Sequence, residues 1–258
     1  MIAVVDYQKG NLKSVERGLI AAGGEALITA DASAIAKADA IVLPGVGAFA
    51  DAAATMCELG QMEAIRARVR AGVPFLGICL GEHLMFEHGV EGAPEGNPAC
   101  GLGLLPGTVV AMPRCDAQGK AFKVPHVGWN TIEMPACNGG AAVPPCGEGG
   151  GGAARSSAAK RGLFEHGAFP GSAPQAGSEL AFACPLFDGI APGEYFYFTH
   201  SYIAPTGSHT IVETTHSVRF TSAVQFGECA FGVQFHPEKS SDAGARVLAN
   251  FVAIAACG

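Results

Sequence analysis

The sequence predicts an α/β chain: one doubly wound domain whose mostly parallel central sheet is covered by helices on both faces and extended by antiparallel strands. Three observations carry this. Short, wholly apolar runs alternate with helix-period segments through the first half, as strands buried on both faces by crossover helices do. The second half has strand-like runs with no helices between them, which suits antiparallel additions. At 258 residues the chain is long enough to enclose one core.

Ile2 to Asp6 reads as the first strand. Asn11 stands where a helix cap would, ahead of a helix carrying Val15, Leu19 and Ile20 to a stop at Gly23-Gly24. Strands at 25–29 and 40–43 flank a second helical stretch, and Phe49 to Ala71 reads as one helix with Met56, Leu59, Met62, Ile65 and Val69 on one side. Val73 to Ile78 is an apolar strand that leads directly into a helix over 80–86. Beyond it, residues 108–112, 127–134, 195–202, 210–215, 223–226 and 231–234 read as strands, and a helix from Asp242 to about Ala255 closes the domain.

Residues 137–183 interrupt this order. Of these 47 residues 30 are Gly, Ala, Pro or Ser, and the run includes GEGGGGAARSSAAKRG from Gly147 to Gly162. Such a stretch buries too little apolar area to offset its ordering entropy, so it reads as a mobile insertion in one domain, with an interdomain linker as the rival reading.

Composition narrows the function. A formal charge of -7 and the lack of any dense Lys/Arg cluster disfavour nucleic acid and anionic membranes as partners, which leaves a small-molecule enzyme as the better expectation. No apolar run approaches membrane-spanning length, and the N-terminus lacks the basic and cleavage regions of a signal peptide. Nine cysteines, an odd number without a C-x-x-C pair, fit neither a disulfide framework nor a zinc ribbon. The expectation is a cytoplasmic protein with reduced thiols, no metal and no cofactor.

The sharpest chemical signal is VPFLGICLGEHLMF, from Val73 to Phe86. It puts Cys79 on a tight strand-to-helix turn between small residues, the arrangement of a nucleophile elbow, where the helix N-terminus favours thiolate over thiol. A thiolate needs a base and an orienter, and GVQFHPEKS supplies both: Pro237 biases His236 to an extended conformation, so Glu238 lies on the same side as the imidazole. Acyl chemistry also needs oxyanion donors, and IVLPGVGAF ends a strand in Pro-Gly-Val-Gly, whose glycines allow backbone amides to be bared or turned.

Together the elbow GICLG, the terminal FGVQFHPEKS and the loop PGVGAF resemble the class I, triad-type glutamine amidotransferases. The segments VVDYQKGNLKSV, KVPHVGWN and YFYFTHSY narrow the resemblance to the glutaminase subunits of imidazole glycerol phosphate synthase, in order over nearly all the chain outside 137–183. The resemblance implies a flavodoxin-like fold and a catalytic triad of Cys79, His236 and Glu238. It implies an oxyanion hole of Leu80 with Gly45 and Val46, the latter after reorientation of its loop, and substrate contacts at Gly47, His83, Ser201 and Tyr202. It further implies that ammonia passes to a (β/α)8-barrel cyclase of the HisF type, in a heterodimer, faced by Asn11, Trp129, Tyr197 and Lys239.

One departure stands beside the elbow. Where the family has Met-Gln this chain has Glu82-His83, so a neutral imidazole would replace an amide that seats the substrate. Its reference pKa of about 6.5 then predicts a glutamine affinity that falls with pH through that region. Two alternatives stay open: a glutaminase subunit of another synthase, or a catalytically impaired binding subunit.

Overall fold

The computed structural model describes residues 1–135 and 182–257. In chain order the elements begin β1 (Ile2–Val5), α1 (Leu12–Ala21), β2 (Ala26–Thr29), α2 (Ala32–Ile35), β3 (Ala40–Gly45), α3 (Phe49–Glu58), α4 (Gln61–Arg70), β4 (Phe75–Cys79) and α5 (Leu80–His83). They continue with β5 (Phe86–Gly89), β6 (Ala99–Cys100), β7 (Leu105–Ala111), β8 (His126–Thr131), β9 (Tyr195–His200), β10 (Tyr202–Ile203), β11 (Thr210–Thr215), β12 (Arg219–Phe226), β13 (Ala230–Val233) and α6 (Ser241–Cys257).

The main sheet has seven strands in the order β11-β12-β13-β4-β3-β1-β2. The five strands from β13 to β2 are parallel, and β12 and β11 extend them antiparallel. Its central strands β1, β3, β4 and β13 are buried along their whole length, as a sheet covered on both faces requires. The period of two sorts them: Ile2 and Val4 face a core with Leu19, Phe235 and Phe251, while Ala3 and Val5 face the other with Met56 and Ile65. The remaining strands form two small sheets, β10-β7-β5-β6 and β8-β9, instead of lengthening the main one.

Two helices differ from their sequence expectation. The 49–71 helix is broken at Gly60, whose φ of 68° lies in the left-handed region, and the chain restarts as α4. The 80–86 helix stops at His83, because the carbonyls of Leu84 and Met85 accept from the amides of Leu102, Leu104 and Leu105. Asn11 occupies the α1 cap position but its side chain makes no capping hydrogen bond.

Positions 137–181 of the expected insertion lie outside the described residues. At its far end Phe182 is buried in the core beside Phe187, so the packed structure has resumed there. Among the described residues, no helix is long and apolar enough to cross a membrane.

This topology fixes where chemistry can occur. From β1 the chain passes through α1 to β2 on one side, then through α2 back across β1 to β3 on the other, so the C-terminal ends of β3, β4 and β13 open onto one crevice near the switch point. Those ends carry Gly45, Cys79 and the segment Gln234 to Glu238.

Candidate active site

Cys79 ends β4 with φ 54° and ψ -105°, a strained left-handed turn for a residue with a side chain. The flanking glycines permit it. A Cβ on Gly77 would lie 2.5 Å from the carbonyl oxygen of Gly81, and one on Gly81 would collide with that of Leu43. The strand therefore turns at once into α5, leaving the thiol at the crevice and Leu80 at the first helical position.

His236 follows β13 in extended conformation, φ -101° and ψ 97°, ahead of Pro237. Its Nδ1 is 3.0 Å from Glu238 Oε1, and both side chains are nearly inaccessible at 3% and 2%. Burial alone would depress the imidazole pKa, but the side chains of Cys79 and Glu238 outweigh it and raise the value to about 9. The segment is pinned by three further bonds: His236 N donates to Tyr197 O (2.9 Å), Ser240 Oγ donates to His236 O (2.6 Å), and Tyr197 N donates to Ser240 Oγ (3.0 Å). With Nδ1 held by Glu238, the buried Nε2 is the nitrogen left to face Cys79, and the raised pKa means that it carries a proton at neutral pH.

A cavity of about 390 Å³ lies over the thiol. Of the residues expected at the site, Val46, Gly47, Cys79, Leu80, His83, Ser201, Tyr202 and His236 line it, as does Lys239. Gly45 pairs with Cys79 in register across β3 and β4, just behind this wall. Val46 N donates to Tyr7 Oη at 3.1 Å, so its amide is committed to that phenol and not to the cavity. Tyr7 is fully buried, and burial pushes its pKa up.

The expected titration of His83 near pH 6.5 is overturned. Burial drives its pKa down to about 4, and its Nε2 is 2.7 Å from Gln234 Oε1. Glu82 beside it is wholly buried with neither carboxyl oxygen partnered, and burial, followed by the nearby Cys79, raises its pKa well above the usual range. Burial thus favours its protonated form.

Sequence reasoning missed other members. Glu91, in the turn after β5, is a carboxylate on the cavity wall with no motif around it to mark it. His200 lines the cavity and ends a chain of donors that fixes every tautomer. Asn130 Nδ2 donates to Thr215 O (2.9 Å) and His126 Nε2 (3.3 Å), which leaves His126 Nδ1 to donate to His200 Nε2 (3.0 Å). His200 Nδ1 then donates to Tyr202 O (2.8 Å), holding the bend at Ser201 and Tyr202. Burial keeps both imidazoles neutral, with the pKa of His126 lowered to about 4.

The expected partner residues cluster in part. On the outer face of the two-stranded β8-β9 sheet, Val127, Trp129 and Tyr195 are 54%, 51% and 57% exposed, while His126, Phe196, Phe198 and His200 fill the inner face. Trp129 meets Tyr197 edge to face at 6.1 Å, and Lys239 Nζ stands 5.9 Å from the Tyr197 ring centre. Asn11 lies apart from this sheet in sequence, at the start of α1. Among the described residues no cluster of His, Cys, Asp or Glu could hold a metal ion, and the seven described cysteines are free thiols.

Comparison with known proteins adds to this geometry. Residues 3–255 match the family model described as glutamine amidotransferase class-I. The chain is 38% identical to the imidazole glycerol phosphate synthase subunit HisH of Moorella thermoacetica, covering 97% of this chain and 93% of that protein. It is 36% identical to the HisH subunit of Rhodopirellula baltica, covering 97% and 96% of the two chains. A solved glutamine amidotransferase shares the fold at a TM-score of 0.61 and 17% identity, covering 99% of this chain and 100% of that one.

Proposed function

The chain belongs to the class-I glutamine amidotransferase family and is the glutaminase subunit of an imidazole glycerol phosphate synthase in histidine biosynthesis, and we propose that Cys79, His236 and Glu238 are its hydrolytic triad. The observation that carries this is the conjunction at one crevice of a thiol on a strained elbow and a buried imidazole whose outer nitrogen is held by a carboxylate at 3.0 Å.

In the reaction so read, His236 Nε2 already holds the proton given up by Cys79, and the thiolate sulfur attacks the carboxamide carbon of glutamine. The tetrahedral intermediate collapses by breaking the C–N bond, and the same proton goes to the departing nitrogen to release ammonia and a γ-glutamyl thioester. Water then adds to the thioester and gives its proton to His236. Cleavage of the C–S bond returns that proton to sulfur and frees glutamate. Glu238 holds the imidazole in one tautomer and stabilises the imidazolium in both halves.

The oxyanion is served by the amide of Leu80 and, once it leaves Tyr7 Oη, by that of Val46 beside Gly45. Glu91 is the carboxylate on the cavity wall suited to the substrate α-ammonium, and Gly47, Ser201 and Tyr202 border the space for its α-carboxylate. His83 lines the floor as a neutral side chain.

Free ammonia in neutral water is mostly ammonium, so the product must be delivered directly. We assign the surface of exposed Trp129 and Lys239 and half-buried Tyr197, with Asn11, to a (β/α)8-barrel cyclase partner of the HisF type in a cytoplasmic heterodimer. The alternation of exposed and buried residues along β8-β9 supports this, because an outer apolar face next to the cavity is what a docked partner would cover.

A diazo-ketone analogue of glutamine tests the triad. Peptide mapping is expected to place the adduct on Cys79 alone, with loss of glutaminase activity in proportion to labelling. Inactivation with Cys79 unmodified would overturn the assignment.

A further inference from the structure

We propose that Gln234 is a third group acting on the nucleophile: its side-chain amide donates a hydrogen bond to Cys79 Sγ and favours the thiolate, and His83 is the positioning residue that holds the amide in that orientation. The inference rests on the reading of Cys79 as the nucleophile and deepens it.

The geometry forms one buried chain across the crevice. Gln234, directly after β13, is fully inaccessible, and its Nε2 lies 3.7 Å from Cys79 Sγ, within reach for a sulfur acceptor. Its Oε1 lies 2.7 Å from His83 Nε2. Each amide orientation makes a demand on its neighbours. With Nε2 towards sulfur, Oε1 needs a donor, which a neutral imidazole protonated on Nε2 provides. Turned over, the amide would set its oxygen against the lone pairs of the sulfur, an arrangement that worsens once the thiol proton leaves. His83 stays neutral down to about pH 4, so the donor persists across the working range.

The neighbours on the other sides show why a donor matters. The carbonyl oxygen of Thr199 on β9 accepts from the thiol at 3.9 Å, an interaction that serves only the protonated form. Glu82 on α5 and Tyr7 after β1 interact electrostatically with Cys79 and must remain neutral beside a thiolate. His236, backed by Glu238, supplies the positive partner. His83 in turn helps to lower the pKa of His200 on β9, after burial, so that imidazole is neutral as well. Gln234 is thus the uncharged donor set against acceptors and acids on the opposite sides, and its bond strengthens as negative charge develops on sulfur.

Alkylation of Cys79 by iodoacetamide, followed against pH in the intact chain and located by peptide mapping, reads this directly. Gln234→Met keeps volume and burial but removes the donor. The expected result is a rate at neutral pH lower by about tenfold, with the midpoint of the pH profile moved upwards. His83→Leu is expected to reproduce that shift. His83→Gln, whose amide can still donate to Gln234 Oε1, is expected to restore the parent profile. A Gln234→Met protein that melts like the parent and keeps its alkylation profile would overturn the proposal. If that variant does not fold, the His83 pair decides, since identical profiles for His83→Leu and His83→Gln would overturn it equally. Failure of the triad reading is separable, because it would leave glutaminase activity in a Cys79-alkylated protein whatever Gln234 does.

Discussion

Glu82 shows how far single residues were legible. The sequence marks Cys79, His236 and Glu238 because elbow glycines and an H-P-E turn are local patterns, and it marks the Glu82-His83 departure by position. It cannot show that Glu82 points beneath Gly232, whose Cβ would come within 2.7 Å of the glutamate side chain, or that neither carboxyl oxygen finds a partner. That depends on how α5 packs against β13. The pKa raised by burial has a stability consequence whose sign follows from proton binding. An unfolded glutamate ionises near pH 4.3, whereas the folded one keeps its proton well above that, so Glu82 costs stability progressively as pH rises, up to about 1.4 kcal/mol per pH unit. Glu82→Met is therefore expected to raise the urea midpoint, and by more at about pH 8 than at about pH 5. An equal gain at both pH values would contradict a neutral buried acid.

Elements were legible where a periodic run was uninterrupted. β11 coincides with its expected span, and the wholly apolar β1, β3 and β4 are found where continuous hydrophobic runs require buried parallel strands. Boundaries failed where a backbone choice overrode periodicity, at Gly60 between α3 and α4 and at His83 where tertiary hydrogen bonds end α5. The turn after β3 combines both levels. Its glycines mark it as adaptable, but only the packing reveals that Tyr7 Oη holds the Val46 amide at 3.1 Å. Tyr7→Phe removes that acceptor, along with the weaker bond from the hydroxyl to Val46 O at 3.5 Å, and lets the amide of the 41% exposed Val46 turn to the cavity it lines. One oxyanion donor is worth about 10² to 10³ in rate, so the glutaminase rate of the chain by itself is expected to rise. An unchanged basal rate in a stably folded Tyr7→Phe protein would contradict the latch.

At the scale of the molecule, the sheet order brings residues 45, 79 and 236, far apart in sequence, to the C-terminal ends of adjacent strands. The apolar runs anticipated the parallel sheet, and the elbow and H-P-E motifs with their family resemblance anticipated that grouping, whereas Glu91, His200 and Gln234 were marked by none of these and join the site only through the fold. The same arrangement sets the exposed Trp129 and half-buried Tyr197 near Lys239 on the cavity wall, the face proposed here to meet the cyclase. Cys79→Ala in the complex with the cyclase separates hydrolysis from delivery most directly. Imidazole glycerol phosphate formation from glutamine is expected to vanish while formation from added ammonia stays near the parent level. Undiminished glutamine-dependent synthesis by that variant would contradict the central claim that this chain supplies the nitrogen through Cys79.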